Sequence, residues 1–141
     1  MTEETDLEAD QVLLREDVQA VLLGVPSDQR PLKGTAGLLD WRLKGMVSRF
    51  LKAGHITGDA GEIVLVPMLR GECRKTLIFL GHGKVSDSNL PSVKLAHLAR
   101  VREQLLKLKV TRVAVSASAF TGIKRGDIVR ELGGIDIVWA Q

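Results

Sequence analysis

Short, unbroken apolar runs alternate along this chain with stretches in which apolar residues recur every three or four positions. Unbroken runs of about four to eight residues are typical of strands buried on both faces, and the wider spacing is typical of amphipathic helices. The runs predict strands at Val12–Leu14, Val18–Val25, Glu62–Met68, Lys75–Leu80, Thr111–Ala117 and Ile135–Trp139. The spaced stretches predict helices at Leu38–Ala53, Pro91–Lys109 and Lys124–Leu132.

The order of these elements, β-β-α-β-β-α-β-α-β, predicts the fold class. Strands that alternate with helices indicate an α/β three-layer sandwich, with a mixed, mostly buried sheet of about six strands flanked by helices. At 141 residues the chain has the size of one globular domain, which we expect to span residues 11–141. Residues 1–10 are expected to form a flexible acidic tail.

The first predicted helix is the most strongly patterned element. Gly54 stands where a C-cap glycine would end it. Trp41 lies beside its apolar face and is interpreted as a core or interface anchor. Trp139, in the last strand, is interpreted as covering a sheet edge or contacting another subunit. The apolar face itself is formed by Leu39, Leu43, Met46 and Phe50.

Charge is unevenly distributed along the chain. Residues 1–17 hold seven acidic residues against one arginine, a local balance of −6, whereas the whole chain carries +3, so residues 18–141 carry +9. No apolar run approaches the roughly 18 residues that a membrane span requires, and the acidic N-terminus is unlike a secretory signal. We therefore expect a cytoplasmic protein with no contact to a membrane.

The reactive side chains do not form a catalytic constellation. Cys73 is the only cysteine, which excludes a disulfide framework and a multi-thiolate metal site. The three histidines and the scattered acids have no metal-ligand spacing. We expect no catalytic residues, no metal and no cofactor.

Several motifs occur in a recognisable order. They are Gly37-Leu38-Leu39-Asp40, the stretch Gly54-His55-Ile56-Thr57-Gly58-Asp59-Ala60-Gly61-Glu62, and the turn Gly81-His82-Gly83-Lys84. In this order, over about residues 12–118, the chain resembles the N-terminal domain of the leucine aminopeptidase family. The resemblance implies a macro-domain-like fold. It also implies a stand-alone, non-enzymatic protein, because the metal-binding catalytic domain of that family has no counterpart in the sequence.

Macro domains bind ADP-ribose through two glycine-rich loops, and two segments here are similar to those loops. Residues 25–37 resemble a degenerate version of the first loop, and residues 119–123 are similar to the second. Glycine lets backbone N–H groups turn toward a phosphate, although most such loops serve only as tight turns. The candidate ligand residues are Gly34, Gly37, Gly81, His82, Gly83, Thr121, Gly122 and Lys124.

Basic residues also recur at helical spacing. If the two long helices lay on the same side of the sheet, their basic faces would merge into a surface for nucleic acid; the alternative is an ordinary solvated helix face. The chain has no Tyr and only three Phe, so aromatic stacking platforms for bases are not expected. The candidate basic residues are Arg42, Arg49 and Lys52 on one helix and Lys94, Arg100 and Lys107 on the other.

Three functions remain open from the sequence. The first is protein–protein association, including self-association or regulation of a larger partner. The second is binding of a phosphorylated small molecule such as ADP-ribose or a nucleotide. The third is nucleic-acid binding through the basic helix faces.

Overall fold

The computed structural model describes residues 2–7, 9–12, 15–27, 32, 34–70, 73–83, 95–116 and 123–140. They form one six-stranded sheet with the strand order β1-β6-β5-β2-β4-β3. The strands are β1 Thr2–Glu4, β2 Ala20–Pro26, β3 Ile63–Arg70, β4 Cys73–Gly83, β5 Arg112–Ser116 and β6 Asp136–Ala140. The helices are α1 Ala9–Val12, α2 Gly34–Arg42, α3 Met46–Ala53, α4 Leu95–Lys107 and α5 Arg125–Glu131.

Strand β2 lies at the centre of the sheet, between β4 and β5, and is parallel to both. β6 is parallel to β5 and to β1. Only β3 runs antiparallel to its neighbour β4, with Ile63 opposite Leu80 and Arg70 opposite Cys73. This is the mixed sheet that the sequence predicts.

Side chains alternate between two hydrophobic clusters, one on each face of the sheet. Val21 and Leu23 face the cluster under α1, α2 and α3, whereas Ala20 and Leu22 face the cluster under α4 and α5. Leu98 of α4 belongs to the second cluster. Burial on both faces explains why the central strands show unbroken apolar runs, and the predicted three-layer α/β sandwich is confirmed.

The helix predicted as continuous over Leu38–Ala53 is in fact two helices. Lys44 and Gly45 between them have positive φ values of 57° and 80°, which end α2 in a left-handed turn. The Asp40 carboxylate then receives the Ser48 N–H at 2.9 Å and the Ser48 hydroxyl, so it caps the start of α3. The Gly54 C-cap is confirmed, with φ 82° and N–H bonds to the end of α3.

The N-terminal part also differs from the prediction. Val12 ends the short helix α1 rather than beginning a strand, and residues 13–14 lie outside the described part of the chain. Within the predicted tail, Thr2–Glu4 form β1, which pairs with β6. Two ion pairs, Glu3 with Arg15 and Glu4 with Arg125, hold this exposed strand in place. The acidic residues thus fold back on the basic body.

Polar groups connect the segment before β2 to the amino ends of the strands. The ammonium group of Lys75, which is only 3% exposed, donates hydrogen bonds to the carbonyl oxygens of Arg15 and Val18. The Arg15 guanidinium donates to Asp17 at 2.6 Å and lowers the pKa of this carboxyl to about 2, with a further contribution from Arg112.

Among the helices of the described residues, none is long and apolar enough to cross a bilayer.

Candidate functional site

Three neighbouring parallel strands end at one edge of the sheet. β2 ends at Pro26, β4 at Gly83 and β5 at Ser116. After β2 the chain passes through α2 and α3 on one face of the sheet and continues to β3 and β4 on one side of β2. After β5 it passes through α5 on the other face and continues to β6 on the other side. The direction in which the chain moves across the sheet therefore reverses between β2 and β5. In open α/β sheets, ligands bind in the crevice outside such a reversal point. We call this place the carboxyl edge.

One wall of the carboxyl edge is the loop of residues 57–62, which is organised by a single carboxylate. Glu62 accepts hydrogen bonds from the Thr57 N–H at 2.9 Å, the Thr57 hydroxyl at 2.7 Å and the Gly58 N–H at 3.1 Å. Burial raises the pKa of Glu62, but these hydrogen bonds lower it more, so the pKa lies below its ordinary value. Glu62 therefore has a structural task in holding the loop closed.

Glycines let this loop approach the strands without side chains between them. A Cβ atom on Gly81 would lie 2.0 Å from the Asp59 carbonyl oxygen, and one on Gly58 would lie 2.4 Å from the Pro26 carbonyl oxygen. The N–H of Gly81 donates to Glu62 O at 2.8 Å, and the N–H of Gly83 donates to Gly58 O at 2.9 Å. Both amides therefore already donate within the protein, and the close approach of the Asp59 carbonyl oxygen accounts for the glycine at position 81. The phosphate contact of Gly81 and Gly83 stays a prediction.

Gly37 also has a packing reason. A Cβ atom there would lie 2.5 Å from the carbonyl oxygen of Leu32, so only glycine lets the loop after β2 cross α2 so closely. Gly34 is the first residue of α2, at the end of that loop. Lys124 is the exposed N-cap residue of α5. The structure describes the backbone of His82 but not its side chain, and Thr121 and Gly122 lie outside the described residues.

The two basic helix faces do not merge. Arg42, Arg49 and Lys52 lie on α2 and α3, which cover one face of the sheet, whereas Arg100 and Lys107 lie on α4, which covers the other. The sheet therefore separates the two groups, and the condition for a joint nucleic-acid surface is not met. Lys94 is outside the described residues.

Some of these arginines also have partners within the protein. Arg49 donates to the Lys44 carbonyl oxygen at 2.6 Å, and Arg100 donates to the Gly61 carbonyl oxygen at 3.4 Å. Arg49 thereby supports the turn between α2 and α3, and Arg100 ties the loop of residues 57–62 to α4.

Comparison with known proteins bears on the family of the chain and on its fold. Residues 20–133 match the family model described as "Cytosol aminopeptidase family, N-terminal domain". The chain belongs to this family. Two probable cytosol aminopeptidases are similar to it: one from Burkholderia multivorans, 29% identical over 106 residues, and one from Burkholderia orbicola, 31% identical over 96 residues.

These relatives are much longer than the aminopeptidase N-terminal domain described here. The matched regions cover 75% and 68% of this chain but only 21% and 19% of the two relatives. The chain thus spans about a fifth of the length of the curated relatives it matches. Within the part that the structure describes, no group of three or more His, Cys, Asp or Glu side chains is placed to hold a metal ion.

Solved structures confirm the macro-domain-like fold. The macrodomain of Mycobacterium tuberculosis DarG is similar with a TM-score of 0.69 and 21% identity, covering 99% of this chain and 97% of that one. The macrodomain of Thermus aquaticus DarG has a TM-score of 0.66 and 14% identity, over 100% of this chain and 98% of that one. A tomato leucine aminopeptidase mutant has a TM-score of 0.63 and 12% identity, over 99% of this chain and 32% of that one.

Two tryptophans of this aminopeptidase N-terminal domain lie in surroundings that the sequence does not predict. Trp41 is not in the core: it is 71% exposed, and the Arg42 guanidinium carbon lies 5.5 Å from its ring centre. Trp139 is buried in β6, an inner strand, with Arg125 at 4.9 Å over its ring. Trp41 follows the buried Leu39 by two residues in α2, about 200° around the helix, so it points to the opposite, exposed side.

Proposed function

We propose that this domain is non-catalytic and works by associating with another protein. The observation that carries the proposal is the exposed Trp41, with the Arg42 guanidinium stacked over its ring. Trp and Arg are the residue types most enriched where a few side chains supply most of the binding energy of an interface. A tryptophan held in the open by a rigid helix loses little conformational entropy when a partner covers it.

The family match supports the non-catalytic part of this proposal. The matched region is the N-terminal domain of cytosol aminopeptidases, and it makes up about a fifth of the two similar relatives. We infer that peptide hydrolysis is not performed by these 141 residues. The relatives are named cytosol aminopeptidases, which favours a cytoplasmic location for this chain as well.

The experiment is affinity capture with matched variants. Wild-type domain, Trp41→Ala and Leu106→Ala are immobilised at equal density, and bound proteins from the source cell extract are quantified. Leu106 is the control because it is 46% exposed on α4, on the opposite face of the sheet. A hot-spot tryptophan is worth about 2 kcal/mol or more, so Trp41→Ala should weaken partner binding by about 30-fold, whereas Leu106→Ala should retain it. Equal capture by all three proteins, or no partner at all, would refute the proposal.

A second candidate function is binding of a phosphorylated small molecule at the carboxyl edge. The convergence of β2, β4 and β5 beside the strand-order reversal favours it. Exposed Lys124, at the start of α5, is the described cation best suited to contact a phosphate.

Thermal unfolding in ADP-ribose, nucleotides and inorganic phosphate tests this candidate. A ligand present at 100 times its dissociation constant adds about 2.7 kcal/mol to the free energy of unfolding. Lys124→Ala should reduce the shift, whereas Lys52→Ala, an exposed lysine on α3, should leave it unchanged. No shift with any of these compounds removes the candidate.

A further inference from the structure

Strand β1 covers the outer edge of β6, but it is much less firmly fixed than the strand it covers. It runs parallel to β6 in a register that places Glu3 opposite Val138. All three residues of β1 are exposed, so this strand buries none of its side chains. The four residues of β6 from Ile137 to Ala140, in contrast, are apolar and buried. The inner strand therefore belongs to the core, whereas its cover is attached from outside.

The backbone of β6 depends on this cover for its hydrogen bonds. The Thr5 N–H donates to the Trp139 carbonyl oxygen at 3.1 Å, so Trp139 points its backbone groups toward β1. Ile137, two residues earlier, points the same way because backbone direction alternates along a strand. Without β1, these groups would be unpaired beside a row of buried side chains. Such an edge is a template for another strand.

A cation lies beside this edge on each face of the sheet. Successive side chains of a strand point to opposite faces, so the two glutamates of β1 diverge. Glu4 lies opposite Trp139, on the face covered by α4 and α5, and pairs with Arg125 at the start of α5. Glu3 points to the other face and pairs with Arg15. The edge thus recognises two consecutive carboxylates, one on each face.

Both arginines also have contacts that do not involve β1. The Arg15 guanidinium donates to Asp17 at 2.6 Å. The Arg125 guanidinium carbon lies 4.9 Å from the centre of the Trp139 ring. These contacts hold the cations beside β6 whether or not β1 is paired. Together with the outward backbone groups, they form a preformed receptor for an extended acidic segment.

We propose that the outer edge of β6, with Arg15 and Arg125, is a strand-acceptor site that binds an extended acidic segment of another protein in place of β1. The segment lies parallel to β6 and places two consecutive Asp or Glu side chains against the two arginines. β1 shows which chemistry the site accepts, and it competes with the partner. The site does not involve Trp41, so this inference goes beyond the proposed function.

β1 is exchangeable because its side-chain contacts are open to solvent. The side chains of Glu3 and Glu4 are 46% and 72% exposed. An exposed ion pair changes an equilibrium by about fivefold at most, and salt screens it. The apparent affinity of a ligand is proportional to the fraction of molecules in which its site is open. Any change that releases β1 should therefore strengthen binding of the partner segment.

Amide hydrogen exchange, followed by NMR on the full chain, measures the release of β1. Exchange is compared at low ionic strength and in about 1 M sodium chloride, where the Debye length is about 3 Å. The Trp139 N–H should exchange about fivefold faster or more at high salt, because both ion pairs are screened. The Leu22 N–H, in the central strand, is the control and should not change. Equal rates for Trp139 at both salt concentrations would overturn the inference.

A peptide titration tests the acceptor site itself. The probe has the sequence of residues 1–7 with blocked ends, Met-Thr-Glu-Glu-Thr-Asp-Leu. The control peptide, Met-Glu-Thr-Glu-Thr-Asp-Leu, has the same composition, but its acids alternate and lie on one face of a strand. Binding is followed by the chemical shifts of the Ile137 and Trp139 amides. The probe should bind several-fold more tightly than the control peptide, because only the probe offers a carboxylate to both arginines.

Protein variants test the competition by β1. In Glu4→Lys the new cation faces Arg125, so β1 is released and the probe should bind about fivefold more tightly than to the wild type. Glu103→Lys changes the net charge equally on the exposed surface of α4 and should bind the probe as the wild type does. Circular dichroism establishes that both variants fold.

The remaining outcomes separate this inference from the proposed function. Unchanged β6 amides in Glu4→Lys, or equal binding of the two peptides, would overturn it. A wild-type dimer that Glu4→Lys abolishes would assign the site to β1 of a second copy, and would overturn the assignment to another protein. Trp41→Ala should bind the probe unchanged. Loss of capture in Trp41→Ala therefore tests the proposed function alone, and either idea survives failure of the other.

Discussion

The buried ammonium group of Lys75 offers a sharp test of how the domain is held together. Its side chain crosses to the segment before β2 and donates hydrogen bonds to the carbonyl oxygens of Arg15 and Val18. Lys75→Met keeps the length and the apolar stem but leaves both carbonyl oxygens without this donor. We expect the segment that leads into the central strand to loosen.

The magnitude follows from the hydrogen bonds. A hydrogen bond from a charged donor contributes about 1.5–3 kcal/mol, so two of them contribute about 3–6 kcal/mol. Replacing the ammonium also removes the desolvation penalty of a group that is only 3% exposed, which offsets part of the loss. The net destabilisation should still exceed about 2 kcal/mol, which for a domain of this size lowers the melting temperature by about 6 °C or more.

Urea unfolding, followed by circular dichroism, measures this difference. Lys52→Met is the matched control, because Lys52 is exposed on α3 and its loss should change the free energy of unfolding by about 0.5 kcal/mol or less. If Lys75→Met and Lys52→Met are equally stable, the two carbonyl contacts do not stabilise the fold and the reasoning is wrong.

Three further predictions concern the loops and the charge network. Gly81→Ala should destabilise the fold by about 2 kcal/mol or more in thermal unfolding, because its Cβ would lie 2.0 Å from a backbone oxygen. The control Gly126→Ala should be neutral or stabilising, because the space around Gly126 in α5 is open. Arg15 lowers the pKa of the Asp17 carboxyl from 3.8 to about 2, so this carboxylate stabilises the fold fully above pH 4 and loses its effect as the pH falls through 2. In Asp17→Asn, the free energy of unfolding should therefore fall less between pH 4 and pH 2 than in the wild type. Glu62→Ala removes three hydrogen bonds and should speed amide exchange in the loop before β3. Glu62→Gln keeps a side-chain oxygen that accepts the backbone N–H groups of Thr57 and Gly58, so it should speed exchange less.

Much of the architecture could be predicted from the sequence, because the strongest patterns report burial. The unbroken runs around Leu22 and Ile78 reflect strands that are covered on both faces, and the predicted bounds of these strands differ from the observed ones by only a few residues. The motifs around Gly37 and Gly58 identify the family, which the comparison confirms. These glycines reflect close backbone approaches that no other residue permits.

The rest could not be predicted, for reasons that are local or long-range. The helix break at Lys44–Gly45 leaves the apolar spacing intact, so periodicity alone does not reveal it, although the glycine and the Asp40–Ser48 cap were available signals. Strand β1 depends on pairing with β6 at the other end of the chain. Whether two helices share a face depends on the strand order, which separates α3 from α4.

The central place of β2 has a consequence for synthesis on the ribosome. β2 is made early, but its neighbours β4 and β5 begin to pair with it only from Thr76 and Val113. Until then the nascent chain carries an apolar segment whose backbone groups have no strand partner. Because β2 pairs with residues 76–83 on one side and with residues 113–115 on the other, both of its edges are covered only after translation has passed Val115.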